Sequence, residues 1–436
     1  MPSDINEETA LLRPPQRKRT PLPKLQLSII MLIQICAPIA SQSIYPYINQ
    51  LVSELDITGG DEKKVGYYAC VLSALAFDVS FPLLTAESWL SVESLFFLTQ
   101  SMTVLQWSRA SDYVGRKPIL MIGLFGTATS VLCFGLSRTF WALVVSRCLC
   151  GLLNGNVGVM KSAMGDLTDR TNRAEGFAYL PIVWAIGAST IPGQNKPHIL
   201  AEGEGDRTLQ TDIPRRRSGP RPLRELLIFP VIISVSNYVA LGFLDTSLRA
   251  LLPLFLAMPI EIGGLGLSPP KIGLILSAYG LAIGLFQVLF FARMVHRFGE
   301  KRVFFNGIIT CLPIFALFPI MSMIARHFGL SFIIWALVGC VLALGTLMDT
   351  SFAAIFMFVT ASAPKSSRGS VNGMSQTLVA LARAIGPAMS TSLFSLSVQH
   401  NLLGGYMVYL VFFVLSGFAL ILAGRLPDEI WDDVDE

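Results

Sequence analysis

Long uninterrupted apolar runs leave this chain few ways to fold. Eight of them, at positions 27–48, 119–136, 140–160, 228–256, 270–291, 303–324, 330–358 and 402–423, suit a bilayer crossing, which takes roughly 20 apolar residues in a helix. Two weaker runs, 177–191 and 370–396, carry more Gly, Ser and polar residues. A disturbed segment precedes Trp107, which brings the candidate helices to eleven. Inside hydrocarbon every backbone amide needs a partner within the protein, so a span is either a helix or a barrel strand. Runs this long and apolar far exceed the alternating segments of about 10 residues that build barrels. Composition agrees, with 53% apolar and 14% charged residues against about 45–50% and about 25% in soluble domains. An all-α polytopic membrane protein follows.

The same sequence argues against several functions. The first 26 residues are polar and broken by proline, and the first apolar run is long enough to remain as a span. No cleavable signal peptide is therefore expected. Cysteines at 36, 70, 133, 148, 150, 311 and 340 mostly fall within apolar runs. They read as small core hydrophobes rather than a disulfide framework or a metal site. There is no zinc, Walker or GxSxG pattern, and the four His (198, 296, 327, 400) lie apart. No enzyme, cofactor, metal centre or nucleic-acid partner is expected.

The formal charge of +4 matters less than where the cations fall. "RPPQRKRTPLPK" precedes the first span and "SRASDYVGRKP" follows the second. "KSAMGDLTDRTNR" follows the fourth, "RMVHRFGEKR" the eighth and "PKSSR" the tenth. The intervening loops are poorer in Lys and Arg. The positive-inside rule then puts both termini and these loops in the cytosol.

The charged hairpin between the second and third spans resembles the signature of the major facilitator superfamily, G-x-x-x-D-x-x-G-[RK]-[RK]. Asp112, Gly115, Arg116 and Lys117 fit it, and Ser108 stands where the first Gly is usual. A degenerate second copy, "ARMVHRFGEKR", keeps Gly299, Lys301 and Arg302, with His296 and Ala292 replacing the Asp and the first Gly. "RCLCGLLNGN" resembles the superfamily's R-x-x-x-G pattern through Arg147 and Gly151. The wording "LNGNVGVMKSAMGDLTDRTNRAEGFAYLPIVWAIGA" is similar to the zinc-induced-facilitator-like branch of the drug:proton antiporters, which has fungal members. The resemblance implies a major facilitator fold, two six-helix halves around a central cavity that opens alternately to either side.

Within that fold, Asp112, Gly115, Arg116 and Lys117 are expected to form a cytosolic latch. Asp112 would cap a helix end and pair with Arg116 when that side is closed. Ionisable residues inside spans are expensive and usually functional, which singles out Arg147, Asp245, Arg249, Asp349 and Arg383. Asp245 and Arg249 lie four apart and suit an ion pair on one helix face. Asp349 has no such neighbour one turn away, so it is the preferred proton carrier, with Asp245 second and Arg147 tuning the charge of the cavity. Gln34, Gln42, Tyr45, Asn154, Asn156, Asn237 and Gln287 are the candidate substrate contacts. Spread over both halves, they suit a polar or zwitterionic small molecule. Gly151, Gly155 and Gly158 are read as sites of close helix packing. Glu7, Leu11 and Leu12 have the spacing of an acidic dileucine sorting signal, which points to a vacuolar membrane, with the plasma membrane as the alternative.

The chain departs from the family in two places. An insert, "CVLSALAFDVSFPLLTAESWLSV", interrupts the second span, and the fifth span runs into a polar linker with no sixth apolar run. The expected organisation is a cytosolic tail (1–26), an incomplete N-terminal half (27–193), a cytosolic linker (194–225), a C-terminal half (226–424) and an acidic cytosolic tail (425–436). The functional expectation is a monomeric, proton-coupled exporter of xenobiotics or metal chelators, a multidrug-resistance antiporter in type. The alternative is a transport-inactive splice or gene-model variant, or a regulator of a full-length transporter.

Overall fold

The computed structural model describes residues 20–42, 92–137, 139–169, 171–180, 223–363 and 367–428. Among them there is no strand, and eight helices are long and apolar enough to cross a membrane. The insert before Trp107, the end of the fifth span, most of the linker and the dileucine segment lie outside the described residues.

The N-terminal part holds α1 (Lys24–Gln42), α2 (Val92–Val114), α3 (Arg116–Gly135), α4 (Phe140–Leu153) and α5 (Asn156–Leu167). Residues 173–180 begin the next helix. The C-terminal part starts with α6 (Phe229–Ala257) and α7 (Pro269–Phe286). A π-helical turn, Gln287–Phe291, carries α7 into α8 (Ala292–Phe298). It is completed by α9 (Glu300–Ile309), α10 (Cys311–Phe328), α11 (Phe332–Ala361), α12 (Arg368–Gln399) and α13 (Met407–Gly424).

Equivalent hairpins in the two parts turn on one device. Gly115 (φ 108°) joins α2 to α3 and Gly299 (φ 82°) joins α8 to α9. A Cβ is disfavoured at positive φ, so glycine lets the chain reverse within one residue. These are the glycines of the two charged loop motifs, which places both copies at matching corners.

The apolar run 140–160 reads as one helix, but the chain breaks it at Asn154–Gly155. Gly155 lies against Trp107 so closely that a Cβ there would sit 2.4 Å from the Trp107 side chain. The break frees carbonyls that α2 satisfies. Thr103 Oγ1 (2.8 Å) and Trp107 Nε1 (2.9 Å) donate to Leu152 O, and Gln100 Nε2 donates to Asn154 O at 3.3 Å. Irregular backbone at membrane depth is tolerated where protein groups complete its hydrogen bonds.

The main core runs through the C-terminal part, where Phe255, Phe315, Phe318, Tyr409 and Phe412 form a continuous set of rings 4.9–6.4 Å apart. Each such pair adds about 0.5–1.5 kcal/mol beyond area burial. Phe125, Leu274, Phe332 and Phe418 point outward instead, as expected where the surroundings are lipid. The cysteines follow the same division and correct the core reading. Cys150 and Cys311 are buried, but Cys36, Cys133 and Cys340 are exposed on helix surfaces.

The two parts meet along α2 and α12, and α5 packs on both α11 and α12. Small groups permit the approach. Ser108, in place of the motif's usual Gly, is wholly buried between Gly158 and Gly373, whose Cβ atoms would come within 2.4 and 2.6 Å of its side chain.

Candidate functional site

Three polar clusters lie between the helices. The first closes one end of the seam. Asp112, at the end of α2, accepts hydrogen bonds from the backbone N–H groups of Gly369 (3.1 Å) and Ser370 (2.9 Å) and from Ser370 Oγ (3.2 Å). Its carboxylate thus caps the first turn of α12, where unsatisfied N–H groups and the helix dipole favour an anion. Arg116 Nη1 donates to Asp112 at 2.7 Å, and Arg116 Nε pairs with Asp166 at 3.3 Å. Arg368, on the opposite part, donates to Gly165 O (3.1 Å) and meets Asp166 at 3.4 Å. Gly115 supplies the turn, and Lys117 is exposed. Beside the degenerate motif copy, His296 lies 3.7 Å from Glu175 across the same seam.

The second cluster lies within the C-terminal part. Arg249 donates from Nε to Asp245 at 2.8 Å and from Nη2 to Asp349 at 3.0 Å. Tyr279 donates its hydroxyl to Asp349 at 3.2 Å. Both acids are buried, with side chains 8% and 5% exposed. The sequence joins Asp245 to Arg249 but leaves Asp349 alone. The structure corrects that isolation, because Arg249 reaches across from α6 to α11 and serves both acids.

The third cluster was not singled out from the sequence. Lys161 counts there as a loop cation, yet α5 continues to Leu167 and buries Lys161 at 5% exposure. Its ammonium donates to Tyr238 Oη (2.6 Å) and Gln376 Oε1 (3.0 Å). It also lies 3.8 Å from the ring centre of Phe356 and 4.3 Å from that of Tyr238. The apolar run ends at Met160, which hid the continuation of the helix.

The remaining expected residues scatter. Arg147 is buried on α4 with its guanidinium over Phe134 of α3. Asn237 donates to Ile233 O (2.9 Å) and Leu422 O (3.3 Å), which ties α6 to α13. Asn156 presses against Gly123 of α3. Gln34, Asn154, Asn156 and Gln287 are buried, each with an amide atom that has no hydrogen-bond partner among the described residues. Gln42 ends α1, and Tyr45 lies outside the described residues.

Lipid-facing helices with charge clusters placed between them define a multi-pass helical membrane protein. A family model described as Major Facilitator Superfamily matches residues 27–193 and 235–431, so the chain belongs to that superfamily and is a transporter, not an enzyme. The efflux pump azaK of Aspergillus niger is 27% identical, over 93% of this chain and 88% of its own length. Zinc induced facilitator-like 1 of Arabidopsis thaliana is 21% identical, over 93% of this chain and 92% of its own length. Among solved structures, the human organic anion transporter MFSD10 shares the fold with a TM-score of 0.68 at 19% identity. That match covers 93% of this chain and 100% of the other.

Proposed function

We propose that this transporter is a proton-coupled exporter of small organic solutes that works by alternating access, with the Asp112 end of the seam facing the cytosol. The carrying observation is the Asp112 carboxylate of one half capping α12 of the other at 2.9–3.1 Å. That contact must break whenever this end opens, so Asp112, Arg116, Asp166 and Arg368 together act as the latch. The placement of cationic loops supports a cytosolic location for this end and for both termini. Export draws support from relatives named efflux pump and multidrug transporter. The dileucine spacing favours a vacuolar over a plasma membrane. The carrier works as a monomer.

Protons are carried by the Asp245–Arg249–Asp349–Tyr279 cluster. One cation shared by two buried acids leaves the cluster one negative charge in excess when both are ionised, and a proton removes that excess. Asp349 is the acceptor, because Arg249 holds Asp245 through the shorter contact. The test is transport of a panel of labelled organic solutes in proteoliposomes with an imposed pH gradient. Asp349→Asn abolishes pH-driven accumulation and keeps solute exchange. Unchanged pH-driven accumulation would remove Asp349 from the mechanism. A second reading, a transport-inactive variant, draws on the absence of a sixth apolar run in the sequence, and it is the reading left if no solute in the panel moves.

A further inference from the structure

Lys161, which is buried, and Arg383, which is half-buried, are cations that neither the latch nor the proton cluster uses. Among the described residues, no carboxylate lies within ion-pair distance of either. Arg383 sits on α12 with its guanidinium 5.8 Å from the Phe352 ring, and its Nε is buried without a hydrogen-bond partner among the described residues. Lys161 sits on α5 over the Tyr238 and Phe356 rings. Between them lie three mutually packed rings, with Tyr238 5.2 Å from Phe356 and 6.4 Å from Phe352, and Phe352 6.1 Å from Phe356. Asp245, on the same helix as Tyr238, is already held by Arg249 at 2.8 Å.

We propose that Lys161 and Arg383 bind the anionic group of the transported solute, and that Tyr238, Phe352 and Phe356 receive its aromatic body. The substrate class is thereby an aromatic organic anion, a carboxylate or sulfonate. The assignment rests on the transport reading above. Burying a cation without a counter-ion is strongly unfavourable. Two neutral hydrogen bonds and the faces of two rings offset this only in part. Packing alone gives no reason for a charge here, since an apolar side chain of similar length fills the space. The charge sum points the same way. With both acids ionised, the Arg249 cluster carries one negative charge, and Lys161 with Arg383 carries two positive ones. A bound monoanion makes the centre neutral.

Geometry also couples binding to the transport cycle. Lys161 belongs to the N-terminal half, whereas Tyr238, Gln376 and Phe356 belong to the other. Lys161 lies five residues from Asp166, about 7 Å along the helix from the latch. Parting the halves at that end removes the ammonium's partners, and an incoming anion replaces them. Closing restores the Tyr238 and Gln376 contacts and competes the anion off.

The experiment measures uptake of fluorescein, an aromatic anion, and ethidium, an aromatic cation, by the purified full chain in proteoliposomes. Wild type is expected to take up fluorescein saturably and in preference to ethidium. Lys161→Met raises the half-saturation concentration for fluorescein roughly tenfold or more, the loss expected for one charge-assisted contact, and Lys161→Arg restores most of it. Size-exclusion profile and thermal melt establish that each variant is folded. Should Lys161→Met fail to fold, Arg383→Gln carries the same expectation. An unchanged half-saturation concentration, or a change confined to maximal rate, overturns the assignment. Preference for ethidium overturns it while leaving the transport reading intact. Movement of neither dye counts against the transport reading and overturns the assignment with it.

Discussion

Asp112 shows how one side chain joins two halves of a molecule. Its carboxylate holds Arg116 at 2.7 Å and also completes the first turn of α12, 257 positions away in the chain at Gly369. Hydrogen bonds to charged groups contribute about 1.5–3 kcal/mol each. Replacing the carboxylate with an amide therefore tilts the closed form toward opening by on the order of tenfold or more. Asp112→Asn keeps the positive charge of the loop, so membrane insertion is expected to be normal while the transport rate falls severalfold. Equal rates at equal membrane abundance would sink the latch. The Arg116 contact is legible in the sequence because four residues make one helical turn. The cap on α12 and the bridge from Arg249 to Asp349 are not legible, because both depend on which helices become neighbours. Lys161 was hidden for another reason, since a lysine after an apolar run reads as the end of a helix.

At the scale of helices, hydrophobicity located the spans and glycine set how closely they pack. The sequence assigns Gly151 to close packing, and the structure shows what it meets. A Cβ there would lie 2.1 Å from Thr99 Oγ1 and 2.5 Å from the carbonyl oxygen of Phe96 on α2. Backbone cannot yield as a flexible side chain does, so overpacking costs about 1–3 kcal/mol. Gly151→Ala is expected to lower the melting temperature of the detergent-purified protein by several degrees. Gly417→Ala, with nothing within 4 Å of its Cβ position, leaves it within error. Equal melts for the two variants would contradict the packing of α4 on α2. The break between α4 and α5 was less legible. Neither Asn154 nor Gly155 stops a helix by itself, and the break persists because Gln100, Thr103 and Trp107 of α2 receive its freed carbonyls.

At the scale of the whole molecule, the described conformation has the halves in contact at the Asp112 end. A Cβ on Gly165 of α5 would lie 3.7 Å from Thr360 Cβ on α11, inside the spacing of about 3.5–4.5 Å that a disulfide needs. Gly165→Cys combined with Thr360→Cys should therefore cross-link under mild oxidation and stop transport, and a reductant should restore it. Full transport with complete cross-linking would show that this end never has to open. The superfamily was legible from two short charged loops, since each needs a glycine corner and a cation pair that few other folds repeat.

The cap on α12 also has a consequence for inheritance. The C-terminal half is chemically unfinished alone, because two buried amide groups at the start of α12 find their acceptor in the other half. A hybrid joining halves from two different carriers would meet its first compatibility test at that joint, however well the remaining surfaces matched. Drift at position 112 is tolerable only alongside a change at 368–370, which makes the two halves joint heirs of a single bond.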